Sequence, residues 1–378
     1  MQDRKKIKVA FPHMGFIYIA WASALRKVGV EPFVPPMTNK KTLSLGIKYS
    51  PESICLPYKL ILGNFIEAIE GGTDYVAMIC SPGICRLGEY GQSICSVLKD
   101  LGYEDKYIEL NLYDGFKGMF RFLRQVAPQS SILDIALAIN TVIRKVFVLD
   151  RIQNIFSYYR AREIHQNDSE KVYKEALKMI LETDTIRQLK KAEKSAKEMF
   201  SKIEIDKKRE VLNVDITGEI FLVQDPFSNQ DIEKELGKLG VQTRRSLTVS
   251  GFLKDAIIPK MFRKGETHLE RATRMAKPYL MRDRGGDALE SVSDVAYANE
   301  RGIDGIIHVS PFTCMPEIMS QNIFPKMRED CEIPILSLIM DEQSGKAGYI
   351  TRLEAFVDLM RRKKHYKKAQ QNKTEQKV

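Results

Sequence analysis

The chain has 378 residues, 44% of them hydrophobic and 29% charged, a length that predicts two or three globular domains and excludes a small secreted disulfide scaffold. Its net charge of +10 is concentrated at the carboxyl end, where the 18 residues from Arg361 carry eight Lys or Arg against one Glu. A terminal basic run of that kind reads as a solvated tail, and no nucleic-acid partner is expected.

No stretch reaches the roughly 18 uninterrupted apolar residues of a membrane helix. The longest apolar-looking run, 132–149, is broken by Asp134, Arg144 and Lys145. The amino terminus passes through Lys5 and Lys6 straight into a strand without an apolar leader, so a cytoplasmic protein with no membrane partner is expected. The first part of the chain alternates: strand 7–11, helix 16–28, strand 32–34, a helix after Pro57, strand 75–79, helix 89–101 and strand 107–110. Such alternation predicts a mostly parallel sheet covered by helices on both faces. Residues 130–203 carry no strand signal and are rich in Lys, Glu, Arg, Ala and Leu at helical spacing, which predicts several helices, the charged run 188–202 being a solvated one. A second α/β part follows: strand 211–216, a helix capped near Ser228 and Asn229, strand 242–247, an irregular basic stretch 251–282, a helix to Asn299, strand 305–309, helix 316–328, strand 334–340 and a last helix from about Thr351. His308, inside an apolar strand, reads as a satisfied core histidine rather than a ligand. The expected division is an α/β domain at 1–128, a helical insert or linker at 129–209, an α/β domain at 210–364 and a basic disordered tail at 365–378.

The two α/β parts repeat one phrase. Glu70-Gly-Gly-Thr-Asp74, an apolar run and Ser81-Pro82-Gly-Ile-Cys85 correspond to Glu300-Arg-Gly-Ile-Asp304, an apolar run and Ser310-Pro311-Phe-Thr-Cys314. Leu25-Arg-Lys-Val-Gly29-Val30 and Leu236-Gly-Lys-Leu-Gly240-Val241 are also alike. Two doubly wound units related by internal duplication are therefore expected, the second with about 18 extra residues, room for an added helix or lid. Each copy ends its strand in a Ser-Pro turn that delivers a cysteine to the sheet's carboxyl edge, where open α/β sheets bind ligands.

Six cysteines stand at 55, 80, 85, 95, 314 and 331. Cys55 and Cys314 each have a proline two residues on, Pro57 and Pro316, at the first turn of a predicted helix. There the unsatisfied backbone N–H groups and the positive end of the helix dipole favour thiolate over thiol. Cys85 has Arg86 beside it, a fixed positive charge. These three suit a metal, a cluster or a nucleophile. Their spacing fits neither a zinc ribbon nor a compact ferredoxin run and implies a site assembled from both domains. Cys80 stands evenly between a fourth ligand and burial at a strand end, whereas Cys95 and Cys331 read as packing. Neither G-x-x-x-x-G-K-[ST] nor G-x-G-x-x-G occurs, and Gly345-Lys346-Ala-Gly348 reads as a turn.

Several segments together resemble the 2-hydroxyacyl-CoA dehydratase and benzoyl-CoA reductase superfamily, in its dehydratase activase-related branch. They are Pro12-His-Met-Gly15, Pro35-Pro36 with Thr42-Leu-Ser-Leu-Gly46, Tyr49 to Lys59 around Cys55, Leu62-Gly-Asn64, Cys85-Arg-Leu-Gly-Glu-Tyr90, Gly218-Glu219, Pro311-Phe-Thr-Cys314-Met-Pro-Glu317 and Asp341-Glu-Gln-Ser-Gly345 through Phe356. The resemblance implies two Rossmann-like domains and a [4Fe-4S] cluster held by cysteines from both, carried over here onto Cys55, Cys85 and Cys314. A double-cubane cluster, which needs more cysteines, is the lesser alternative. The resemblance also implies low-potential electrons from a separate ATP-dependent activator, delivered to a small or CoA-linked substrate, and a homodimer. The leading expectation is an iron–sulfur oxidoreductase or acyl-CoA dehydratase component, with Arg86 and Lys59 tuning the cluster electrostatically. The alternative is a non-catalytic regulatory or binding protein whose cysteines are structural.

Overall fold

A computed structural model describes residues 6–80, 86–111, 114–251, 253, 266–282 and 286–375, without the side chains of 86 and 371–375. It contains two four-stranded sheets, all parallel, as expected of two Rossmann-like units. The first is formed by β1 (Lys8–Ala10), β2 (Glu31–Phe33), β3 (Tyr75–Cys80) and β4 (Tyr107–Asn111) in the order β2-β1-β3-β4. The second repeats that order with β5 (Leu212–Gly218), β6 (Val241–Arg245), β7 (Gly305–Pro311) and β8 (Ile335–Met340) as β6-β5-β7-β8. In both, the direction of winding reverses beside the first strand, between β1 and β3 and between β5 and β7. Such a reversal opens a crevice at the strands' carboxyl ends.

The repeated phrase has the same mechanical job in each copy. Asp74 accepts the Lys8 N–H with its side chain at 2.8 Å and returns its own N–H to Lys8 O at 3.0 Å, which locks the start of β3 onto β1. Asp304 does the same to Asn213, at 2.8 Å in both directions, and locks β7 onto β5. The preceding glycines, Gly72 and Gly302, both turn the chain through positive φ, 89° and 66°, a conformation that other L-residues rarely take.

Parallel strands need helical crossovers. In the first unit these are α1 (Ile17–Lys27), α2 (Lys40–Tyr49), α3 (Leu56–Glu70) and α4 (Tyr90–Asp100). Then come α5 (Phe116–Val126), α6 (Ile132–Arg160), α7 (Asp168–Leu181) and α8 (Ile186–Ser201), whose apolar faces join α1 in one core that includes Trp21, Phe122, Phe156 and Phe200. The second unit adds α9 (Ile220–Gln224), α10 (Ile232–Lys238), α11 (His268–Ala276), α12 (Ala288–Tyr297), α13 (Met315–Asp330) and α14 (Lys346–Glu375). A single apolar cluster runs from α3 and β3, through Phe65 and Met78, into β7 and α14, through Ile307 and Val357, so the two sheets share one core. Among the described residues no helix is long and apolar enough to cross a membrane.

Three expectations are corrected. The stretch 251–282 is not wholly irregular, because α11 lies within it, capped by Thr267 and Glu270. The Ser310-Pro311 pair is not a turn: β7 continues to Pro311 opposite Met340, and the Phe312 N–H closes the ladder on Met340 O at 2.8 Å. The expected disordered tail from 365 is instead the continuation of α14 to Glu375. Lysines spaced by one helical turn explain this: Lys364 pairs with Asp304 at 3.0 Å and Lys368 with Glu210 at 2.5 Å, so the basic face lies along acidic groups of the second unit.

Candidate functional site

Cys55 and Cys314 hold the same place relative to their own helices, although in the repeat Cys314 corresponds to Cys85: α3 leads into β3, whereas α13 follows β7. Each is the N-cap of its helix, α3 and α13, with Pro57 or Pro316 in the first turn. The loops that carry them meet across the two sheets, where Thr313 Oγ1 donates to Ser53 O at 3.4 Å. Nearby, the buried Lys59 ammonium reaches Glu342 Oε1, beyond β8, at 2.9 Å and Glu52 O at 3.1 Å. Lys59 is thus spent as a latch between the units. Cys85 and its turn lie outside the described residues, as does the side chain of Arg86; the backbone of Arg86 opens a short 3-10 turn that leads into α4.

Sequence reasoning expected a thiolate at these helix starts, and Cys55 departs from that. Burial pushes its thiol up and the charge of Glu219 adds to the effect; the hydrogen bond with Tyr90 OH and the helix amides oppose it without prevailing. Cys80 sits in the apolar core at the end of β3, its sulfur 4.0 Å from Tyr107 OH, and burial followed by the charge of Glu109 pushes it up to about 12. Cys95 lies half-buried on α4, and Cys331 ends α13 with its sulfur 3.8 Å from Tyr279 OH. Gly345-Lys346-Ala-Gly348 is not the expected turn: the chain turns at Glu342 and Gln343, where Asp341 accepts from Ser344 Oγ at 2.7 Å, and α14 already begins at Lys346, which pairs with Glu235. Among the described residues no three His, Cys, Asp or Glu side chains form a metal-holding group.

The structure adds a set of buried acids that sequence reasoning did not assign. Glu219 follows β5 and caps α9, its two oxygens accepting the N–H groups of Phe221 and Leu222 at 3.0 Å each. Burial raises its pKa to about 8, reinforced by the charges of Asp287 and Glu317. Asp287, before α12, accepts the Ile220 N–H at 2.9 Å; burial and then Glu317 raise it to about 7. Glu317, one turn along α13 from Cys314, holds His308 Nε2 at 2.5 Å and accepts from Ser291 Oγ at 2.9 Å. Glu317, His308 and Ser291 are fully buried, Glu219 is buried and Asp287 is half-buried; His308 Nδ1 and Glu317 Oε1 have no hydrogen-bond partner among the described residues. His308 is therefore a core histidine only half satisfied. The signals were present in Gly218-Glu219 and Pro316-Glu317, but nothing in either pair says that they face a common interior.

These raised values make stability depend on pH. Glu219 and Asp287 titrate higher in the fold than their ordinary 4.5 and 3.8, so the folded chain binds more protons than the unfolded one up to about pH 8 and 7 respectively. Their stabilising contribution is complete below the unfolded values and is lost as pH rises through the folded ones. Asp287→Asn keeps an acceptor for the Ile220 N–H while removing one negative charge that faces Glu219. Its melting temperature should fall less steeply than that of the wild type between about pH 5 and 8. His13 and Lys145, whose buried cationic forms are disfavoured and whose linkage has the opposite sign, are common to both proteins and cancel. Parallel melting curves in the two proteins would refute the acidic cluster.

A model of the family described as CoA enzyme activase uncharacterised domain (DUF2229) matches residues 13–246. The matched stretch carries Cys55, Cys80, Cys85 and Glu219 and stops before Cys314 and Glu317. No curated protein matches the chain.

Proposed function

We propose, from the premise that the chain belongs to the family of the CoA enzyme activase uncharacterised domain, that it is an iron–sulfur electron carrier serving CoA-linked enzymes in the manner of 2-hydroxyacyl-CoA dehydratase components. The observation that carries this reading is the paired placement of Cys55 and Cys314. Two sheets of identical order each bring a cysteine to the start of a proline-bearing helix, and the two loops touch through Thr313 and Ser53. Such a donor set suits a [4Fe-4S] cluster, with Cys55, Cys85 and Cys314 as the ligands. Cys80, packed in the core beside Tyr107, is left out of the set. When bound, the cluster supplies one-electron reduction at low potential.

The chain's own groups have supporting tasks in this reading. Tyr90 holds the Cys55 sulfur in place, and the Lys59–Glu342 latch fixes the start of α3 against the second unit. Glu219 and Asp287 keep protons close to neutral pH beside the site, where a substrate that gains an electron also needs one. The turn around Cys314 presents Phe312, Met315 and Ile318 to solvent, an apolar surface suited to an electron-donating protein partner. The sequence lacks both phosphate-loop patterns, so ATP hydrolysis is assigned to that partner, and the final acceptor is a small or CoA-linked substrate.

Iron and acid-labile sulfide measured on protein purified without oxygen test this reading. About four irons per chain are expected, with a broad visible band bleached by dithionite. Cys55→Ala and Cys314→Ala should each lose most of that iron, and Cys95→Ala should retain it. A colourless wild-type protein after anaerobic reconstitution would instead favour a regulatory or binding protein with structural cysteines.

A further inference from the structure

Away from the cysteines, a cavity of about 620 Å³ opens where the first unit, the helical segment and the second unit meet. Its volume lies within the range of small-molecule sites, roughly 300–1,000 Å³. Three of its lining residues come directly from the carboxyl ends of strands or the loops after them: Phe16 beyond β1, Met37 beyond β2 and Arg245 at the end of β6. The cavity therefore faces the ligand-binding edge of both sheets at once.

One wall is aromatic. Tyr173 lies flat on Phe156, with ring centres 4.0 Å apart and planes 11° apart, and Phe16 meets the Tyr173 ring edge-on at 5.7 Å. Most of the charges that line the cavity are already matched. Arg245 pairs with Glu233 at 2.6 Å, Arg160 with Glu170 at 2.7 Å and Lys174 with Glu170 at 3.6 Å, and Asp231 lies 3.9 Å from Lys346. Lys178 and Lys234 also line the cavity and, among the described residues, have no ion-pair partner. An apolar, ring-lined space with two unmatched ammonium groups selects a flat apolar body that carries negative charge.

We propose that this cavity is a binding site for a planar aromatic anion, the ring lying along the Phe16–Tyr173 wall and the anionic group between Lys178 and Lys234. A nucleotide base with its phosphate and an arene carboxylate share that chemistry. The site has no residue in common with the cysteine loops, and it stands whether or not the protein carries iron. A ligand there touches α1, α7 and β6 together, so it would fasten the helical segment to both sheets.

Isothermal titration calorimetry with AMP and, separately, with indole-3-acetate tests the proposal on the full chain. At least one probe should bind with a dissociation constant below about 1 mM, and Lys178→Gln with Lys234→Gln should weaken it about tenfold or more. Binding of AMP alone assigns the nucleotide class, and binding of indole-3-acetate alone the arene carboxylates. Leu177→Trp, which places an indole in the space, should abolish binding; Lys178 is exposed, so the lysine variants remain informative if that one fails to fold. If neither probe binds, or the lysine variants bind as the wild type does, the site is refuted.

Discussion

Gly63→Ala should cost about 3 kcal/mol and lower the melting temperature by about 6–12 °C, because the new methyl has nowhere to go. A Cβ at Gly63 would stand 2.0 Å from Thr42 O, and one at Gly46 only 1.7 Å from Lys59 O. Each glycine faces the other helix's backbone, so α2 and α3 cross at near backbone contact, and neither obstructing atom is a movable side-chain end. The crossing is held further by Thr42 Oγ1 donating to Glu67 Oε2 at 2.6 Å and by the Asn39 and Thr42 capping box. The consequence reaches the site, since α3 begins at Cys55 and carries Lys59; pushing α2 away tilts both. Iron binding, if the proposed function holds, should fall along with stability. Gly348→Ala is the contrasting control: nothing lies within 4 Å of the new methyl, and helix propensity predicts a gain of up to about 1 kcal/mol. Wild-type melting of Gly63→Ala would mean that the helices do not cross so closely.

The same glycines show what the sequence could and could not tell. Internal duplication and the parallel order of the strands were legible, because Asp74 and Asp304 occupy matching places in a repeated phrase and the structure gives them matching bonds. The placement of Cys55 and Cys314 at helix starts was legible from Pro57 and Pro316. Gly46 and Gly63 were visible as motif letters, but their purpose is a contact between two helices that no local pattern encodes. The length of α14 was misread for a related reason: a basic run looks solvated until the carboxylates of Asp304 and Glu210, far away in sequence, are brought beside it. The Cys55 thiol was misjudged because helix amides are local, whereas its burial and, after that, the Glu219 charge come from tertiary packing. The acids Glu219, Asp287 and Glu317 become a group only where the ends of β5, α12 and α13 converge, a property of tertiary packing alone.

Glu317→Ala is the second large effect expected, a loss of about 3–5 kcal/mol, because it strips a buried pair of one partner. His308 Nε2 and Ser291 Oγ would both lose their bond in an interior without solvent, and His308 Nδ1 is already unpartnered. Glu317→Gln should cost far less, since an amide oxygen can still accept from an imidazole N–H and from the hydroxyl. The double variant His308→Leu with Glu317→Leu should recover most of the stability lost by Glu317→Ala, as apolar replacements of both partners in a buried pair commonly do. Thermal melting of the three proteins checks the order, and a double variant no better than Glu317→Ala would show that the pair is indispensable to packing. If stability does recover, the polar pair is not needed to hold the fold, and its place one turn beyond Cys314 needs another reason. Iron content of the recovered double variant then supplies the decisive contrast. A folded protein that no longer holds iron would make the His308–Glu317 pair a positioning device for the Cys314 loop, whereas unchanged iron would leave it a feature of the core alone.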